Sequence, residues 1–217
     1  MTYLELVNSV LIRLREREVS AVTENSYAKL IGQFVNEAKR NVEDSFNWNA
    51  LRKTLTATTQ ADVFNYELNT AGARFRVLDV VNDSSNWFME QKSSGWFNNA
   101  FLNATGAVET GEPQYYTFNG VSADGDTQVD IYPIPDGVYT IRFNIVDPQN
   151  ALVNNSDTLL IPSEPVVLGA YARAVAERGE DGGIAAQEAS VFAFSSLSDH
   201  IAIEANHFPE ELVWREV

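Results

Sequence analysis

The side chains of His200, Glu204 and His207 have the spacing of a metal-binding set. Intervals of four and three residues place them on one face of a helix, and imidazole and carboxylate groups are accepted ligands of zinc and iron. A solvated face near the end of a helix has the same spacing, and we favour that interpretation. The sequence therefore predicts neither a metal nor a cofactor.

Carboxylates are numerous enough to supply a general acid and a general base. Asp79, Asp83, Glu90 and Glu109 are candidates, but nothing selects a pair at the separation of about 5–9 Å that glycoside cleavage requires. The sequence also has no phosphate-binding glycine motif, no GxSxG, no HExxH and no cysteine. These features predict that the protein is not an enzyme.

The turn Asp124-Gly125-Asp126, with Asp130 close behind it, suggests a calcium site. An EF-hand loop has glycine at its sixth position and a bidentate glutamate at its twelfth, and the spacing here departs from that pattern. A polar hairpin turn is the better interpretation of this segment.

Aromatic side chains concentrate in residues 86–102, where Trp87, Phe88, Trp96 and Phe97 are candidates for stacking on sugars or bases. Such residues more often form a core or a contact between subunits. We therefore predict a subunit or tail-interface role for these four, and a loop or short helix for the segment. A carbohydrate-binding sandwich that uses Trp87 and Trp96 is an alternative.

The charge of the chain argues against several partners. Its 217 residues hold 15 Lys and Arg against 30 Asp and Glu, a net charge of −15. Nucleic acids and anionic lipids need an excess of cations. Residues 1–53 have eight bases and seven acids, whereas residues 54–217 have seven bases and 23 acids. The sequence shows neither a basic leader nor an apolar stretch of about 18 residues, so we expect no export and no membrane.

Periodicity predicts helices at both ends of the chain. Leu4, Val7, Leu11 and Leu14 form one apolar stripe, with Thr2 as its N-cap. A second stripe runs from Tyr27 to Phe46, with Thr23 as the predicted N-cap. Near the other end we predict an alanine-rich helix capped by Ser163 and stopped by Gly179, and a last helix at about 184–206.

Alternating patterns between these helices predict strands joined by turns rich in Asp, Gly and Pro. The strand candidates are 51–59, 63–68, 74–81, 114–118, 128–132 and 139–146. Their short length and spacing favour an antiparallel sandwich or sheet. The predicted turns are 70–72, 111–113, 123–126 and 135–137.

Four stretches in this order resemble the tail tubular protein A family, the head-to-tail adaptors of short-tailed bacteriophages. They are Phe46–Arg52, Ile131–Ile141, Val146–Leu152 and Asp157–Pro162 with the helix that follows. Residues 86–102 match no pattern of that family.

The resemblance implies an α+β fold in which a helical bundle, residues 1–50 and 157–207, carries an inserted antiparallel β-rich module, residues 51–156. It implies a structural virion protein of the neck, made in the host cytoplasm, that forms a ring of about twelve copies. The ring would join the portal protein to tail nozzle or fibre proteins and extend the DNA channel without specific DNA binding. A docking tail, residues 208–217, would grip the portal through Phe208, Leu212, Val213 and Trp214.

Two further expectations follow from the resemblance. Some adaptors of this group are associated with peptidoglycan hydrolysis, so a virion hydrolase is a second alternative. Part of the acidity of residues 54–217 is expected to line the ring lumen, where it would repel phosphates. Solubility before assembly explains the same acidity equally well.

Overall fold

The protein is described by a computed structural model that covers residues 1–68, 74–102, 106–179 and 183–207. These residues form the α+β fold expected, with helices at both ends and strands between. The helices are α1 Tyr3–Arg13, α2 Ser26–Ser45, α3 Ser94–Leu102, α4 Ser163–Arg178 and α5 Ile184–Ala205. The strands are β1 Arg52–Thr58, β2 Asn65–Leu68, β3 Arg76–Asn82, β4 Trp87–Phe88, β5 Glu90–Gln91, β6 Tyr115–Val121, β7 Thr127–Tyr132 and β8 Thr140–Val146.

The chain divides into two compact units. Residues Met1–Leu51 and Pro148–Val217 form the helical unit, and Arg52–Asp147 form the β unit. No described helix combines the length and apolar character that a bilayer span requires.

Helix α1 begins as its sequence predicts. The Thr2 hydroxyl accepts from the Glu5 amide at 3.3 Å, and the Glu5 carboxylate accepts from the Thr2 amide at 2.8 Å. This reciprocal capping box satisfies two amides that the first helical turn leaves without partners. These hydrogen bonds also lower the pKa of Glu5 below its usual value.

The predicted cap of α2 is wrong by two residues. Asn25, not Thr23, is the N-cap, and its side-chain oxygen accepts from the Ala28 amide at 2.7 Å. Glu24 turns back instead, and its carboxylate accepts from the amide and hydroxyl of Ser20 at 2.6 and 2.8 Å. Thr23 and Asn25 are both residue types that suit an N-cap, and only the path of the preceding chain decides between them.

Helix α4 is the central element of the helical unit, because it contacts α1, α2 and α5. Its N-cap is Pro162, and Ser163, the predicted cap, is the first helical residue. Proline directly before the first turn holds the chain in an extended conformation without a side-chain hydrogen bond. Gly179 ends α4 with φ of 66°, which confirms the predicted glycine stop.

Gly32 in α2 faces Tyr3 of α1 and Val22 of the link before α2 at close range. A Cβ added at Gly32 would clash with the Tyr3 hydroxyl and lie 2.9 Å from a Val22 methyl. We predict that Gly32→Ala lowers the free energy of unfolding by about 1–2 kcal/mol, since overpacking outweighs the better helix propensity of alanine. The matched change Gly95→Ala in α3, where the nearest atom lies 4.0 Å away, should be neutral or stabilising. Chemical denaturation of both variants measures the difference, and equal stabilities would contradict the prediction.

The β unit is built from two four-stranded sheets. Their strand orders are β1-β8-β3-β4 and β2-β7-β6-β5. All pairs are antiparallel except β5 with β6, which pair in parallel through Glu90 and Gln91. The segment between those two strands contains α3, and a long crossover of this kind is what parallel pairing requires. The aromatic segment 86–102 therefore forms two short strands and a helix.

Both sheets contribute side chains to one core, as in a sandwich. The central residue is Phe143 of β8, which is completely buried. The remaining members of this cluster are Leu68, Val80, Met89, Tyr116, Val129, Ile131, Ile141 and Ile145. The inward positions alternate along β7 and β8, which is the pattern that predicted these strands.

The chain returns to the helical unit at Pro148, earlier than the predicted boundary after residue 156. Asn36 of α2 holds the returning segment, because its side-chain oxygen accepts from the Leu152 amide at 2.8 Å and its amide donates to the Leu152 carbonyl at 3.0 Å. Leu152 and Leu159 are buried in this segment. Asp157 accepts from the amides of Val153 and Asn154, both at 2.7 Å, which lowers the pKa of Asp157.

Candidate functional site

The three side chains with metal-site spacing do not converge on one point. The Nδ1 atom of His200 lies 2.8 Å from the Ser196 carbonyl, one turn earlier in α5. Glu204 accepts from the Asn49 amide at 2.7 Å, and its other oxygen lies 3.3 Å from His207 Nδ1. In the described part of the chain no three His, Cys, Asp or Glu side chains converge on a possible ion. Glu204 thus joins the end of α5 to the segment after α2.

The four carboxylates weighed as glycosidase candidates are likewise dispersed among different neighbours. Asp79 accepts from the Asn144 amide, and Asp83 pairs with Arg142 at 3.0 Å. Glu90 pairs with Lys92 at 2.7 Å, and Glu109 accepts from the Tyr132 hydroxyl at 3.1 Å. These contacts support sheets and loops, and they bring no two of the four carboxylates together.

The segment weighed as a calcium loop is a tight hairpin turn between β6 and β7. The Ser122 carbonyl accepts from the Gly125 amide at 3.1 Å, and the Ser122 amide donates to the Asp126 carbonyl at 2.8 Å. Gly125 has φ of 93°, which a side chain would disfavour. Asp130, on β7, accepts instead from the side-chain amide of Asn65.

The four candidate aromatic residues do not form one surface. Phe97 is buried, and the Trp96 ring contacts the rings of Phe97, Tyr115 and Tyr132, with centroids 5.4, 5.0 and 5.5 Å away. The Trp87 indole donates to the Pro113 carbonyl at 3.2 Å. These contacts pack α3 on β6 and β7 and join β4 to the segment before β6. Phe88, 75% exposed, is the one of the four that is free to contact another molecule.

The last helix carries a surface that sequence reasoning missed. Five large apolar side chains of α5 are exposed, namely Ile184, Val191, Phe192, Phe194 and Ile203. Three positions of α5, Ala186, Ala189 and Ser196, are buried. A helix with apolar residues on every side is normally covered on every side. The sequence did indicate an unusually apolar helix, since the 22 residues of α5 contain no lysine or arginine.

Two grooves flank α5. One has a volume of about 440 Å³, lies between α2, α4 and α5, and is bordered by Phe194 and Leu197. The other, about 570 Å³, lies between α4 and α5 and has Leu168, Phe192 and Ile203 on its apolar wall. Glu164 and Asp199 line the same second groove. We call this second groove the acidic groove, because the carboxylates of Glu164 and Asp199 lie beside its apolar wall.

The hairpin of α1 and α2 has the opposite charge character. Arg13, Arg15, Arg17, Lys29 and Arg40 are all exposed, and none forms an ion pair with another described residue. Two acids of this hairpin are engaged elsewhere, since Glu16 pairs with Arg178 at 2.6 Å and Glu37 with Arg173 at 3.5 Å, whereas Glu18 is exposed. Ile12, 56% exposed, lies next to the first of these cations. The free charge on this side of the helical unit is therefore positive.

The predicted docking tail lies outside the described residues. Phe208, Leu212, Val213 and Trp214 all fall in the segment 208–217, which follows directly on the end of α5. Their role as portal contacts stays a prediction.

A comparison with known protein families gives one match. The model of the family described as SU10 adaptor protein matches residues 1–203, which span the helical unit through most of α5 and all of the β unit. No curated protein matches the sequence.

Proposed function

This chain belongs to the SU10 adaptor protein family, a family of phage adaptors with a structural role, and from that premise we propose that it forms a ring in the neck of the virion. The ring, of about twelve copies, joins the portal protein above it to nozzle or fibre proteins below. DNA passes through its channel without specific binding. The observation that carries the proposal is a family match that includes both units.

The exposed chemistry of the chain supports a structural role. The carboxylates considered for catalysis hold together strands and loops, and each has a different partner. The exposed apolar side chains of α5 form a surface whose exposure to water is unfavourable, and such surfaces are typical of sites that bind another protein. The resemblance to the tail tubular protein A family narrows this role to the short-tailed phages and remains part of the proposal.

Electron microscopy of the negatively stained protein, alone and mixed with its portal, tests the function. We expect decorated portals in the mixture. A chain that leaves portals bare would overturn the proposal, and release of sugar fragments from peptidoglycan by the purified protein would favour the hydrolase alternative instead.

The segment 208–217 is proposed as the portal-docking tail. It follows α5 and has apolar side chains among acidic ones, of which Phe208, Leu212, Val213 and Trp214 are the proposed contacts. Buried aromatic residues dominate the binding energy of many interfaces, so Trp214 and Phe208 are its expected anchors.

Deletion of residues 208–217 is predicted to leave the helical circular dichroism signal of the monomer unchanged and to abolish portal binding. Trp214→Ala should weaken binding about 30-fold or more, since hot-spot aromatics contribute about 2 kcal/mol or more. Phe88→Ala, which truncates an exposed aromatic residue of the β unit, is the matched control. Pull-down on immobilised portal measures all three. A truncated chain that still binds portals would exclude the tail as the docking element.

A further inference from the structure

We propose that the outer surface of α5 is covered by a second copy of this chain, which presents residues 12–17 of its α1 end and following link to the acidic groove. This inference rests on the proposed ring and identifies the two surfaces that meet at each subunit boundary. It is carried by the apolar exposure of α5 and by the distribution of unpaired charge.

Helix α5 is an edge of the helical unit. Among the described helices it packs closely on α4 alone, whereas α4 also contacts α1 and α2. Its 22 residues extend for about 33 Å. Phe192 and Phe194 are 65% and 73% exposed, and they point to different sides of the helix because they are two residues apart. An isolated chain would leave both rings in water.

The acidic groove selects the kind of side chain that enters it. Leu168, Phe192 and Ile203 supply an apolar wall, and Glu164 and Asp199 supply negative charge. Neither of these two acids forms an ion pair with a described residue. Arginine matches this combination, since its methylene stem packs on apolar surface while its guanidinium binds carboxylates.

Residues 12–17 of the same chain offer such side chains. Arg13, Arg15 and Arg17 alternate there, directly after the exposed Ile12. Glu16, between them, is already paired with Arg178. The acidic groove and this arginine segment are different surfaces of one unit, so their contact joins copies head to tail. A head-to-tail contact closes into a ring when the rotation between copies allows it.

Charge exchange between copies tests the contact. We expect the wild-type chain to self-associate at high concentration in sedimentation experiments, and both Asp199→Arg and the double variant Arg15→Asp/Arg17→Asp to weaken that association. Mixing the two variants should restore it, because the arginine of one then meets the aspartates of the other. Phe192→Ala should weaken self-association about 30-fold or more, as expected for a central aromatic contact. Val138→Ala, at an exposed apolar side chain of the β unit, is the control.

Cross-linking identifies the partner surface independently. The chain contains no cysteine, so introduced thiols have no background. Glu18→Cys, beside the arginine segment, and Ser198→Cys, on the exposed side of α5, should form a mixed disulfide when the two variants are combined. A disulfide between two Ser198→Cys chains alone would overturn the proposal in favour of a symmetric α5 contact.

Two further results would overturn the proposed contact between copies. A wild-type chain that stays monomeric at its highest soluble concentration, or an Arg15→Asp/Arg17→Asp variant that associates normally, overturns the proposal. Portal decoration is scored separately with the same preparations. A chain that decorates portals yet fails these tests retains the proposed function and loses only this interface.

Discussion

Lys39→Met is expected to lower the free energy of unfolding by about 3–5 kcal/mol, one of the two largest effects we predict for a single substitution. Lys39 and Glu43 form an ion pair at 2.8 Å inside the helical unit, with side chains only 3% and 1% exposed. The Lys39 ammonium also donates to the Gln149 carbonyl, and Glu43 accepts from the Gln149 amide at 3.1 Å. Methionine fills the space of the lysine but leaves a carboxylate buried without its counter-charge.

A second substitution separates charge from packing. In the Lys39→Met background, Glu43→Gln should recover part of the lost stability, because the neutral amide still accepts from Gln149 and needs no cation. Lys29→Met, at an exposed position of the same helix, is the control and should change stability by about 0.5 kcal/mol or less. Urea denaturation followed by helical circular dichroism measures all three. A Lys39→Met variant as stable as the control would show that the pair does not stabilise the fold.

Trp48→Ala is expected to destabilise the helical unit by about 3–5 kcal/mol. Trp48 is 1% exposed and lies just after α2, where its indole donates to the Val42 carbonyl at 2.7 Å. Its ring meets that of Phe46 edge to face, with centroids 5.6 Å apart. Alanine would remove the largest fully buried side chain together with a hydrogen bond to the last turn of α2.

Trp48→Phe distinguishes the two contributions. Phenylalanine keeps most of the buried volume and loses the indole donor, while the Val42 carbonyl still accepts from the Ser45 hydroxyl at 2.7 Å. The expected cost is therefore about 1–3 kcal/mol from the lost hydrogen bond and the smaller ring. Thermal unfolding should therefore rank wild type above Trp48→Phe and Trp48→Phe above Trp48→Ala. Equal stability of the alanine and phenylalanine variants would mean that the hydrogen bond, not the buried ring, is what matters.

Periodicity located α1, α2 and most strands, because burial on one face imposes a regular spacing that the sequence displays. The apolar stripe of α1, the alternation in β8 and the glycine after α4 all appear where they were predicted. Cap positions did not follow as well. Asn25 is the N-cap of α2, and Glu24 folds back to bind Ser20. This contact depends on the three-dimensional path of the chain, so the spacing of residue types in the sequence does not predict it. The return to the helical unit at Pro148 depends on the pairing of Asn36 with Leu152 in the same way.

The candidate site was less predictable than the fold. Aromatic content drew attention to Trp87, Phe88, Trp96 and Phe97, yet three of these rings are used within the β unit. The absence of lysine and arginine marks α5 as unusually apolar, but the side of α5 that α4 buries cannot be predicted from a helix that is apolar on every side. Only the packing of the neighbours shows which side is left uncovered.

The insertion of the β unit between α2 and α4 determines the order in which these elements emerge during synthesis. The strands at its two ends, β1 and β8, pair from Arg52 with Val146, so entry and exit lie side by side. α2 ends at Ser45 and α4, on which it packs, begins only at Ser163. At translation rates of about 5–20 residues per second, α1 and α2 wait about 6–23 seconds for α4. The β unit emerges complete within that interval, and the buried pair of Lys39 and Glu43 meets Gln149 only when it is finished.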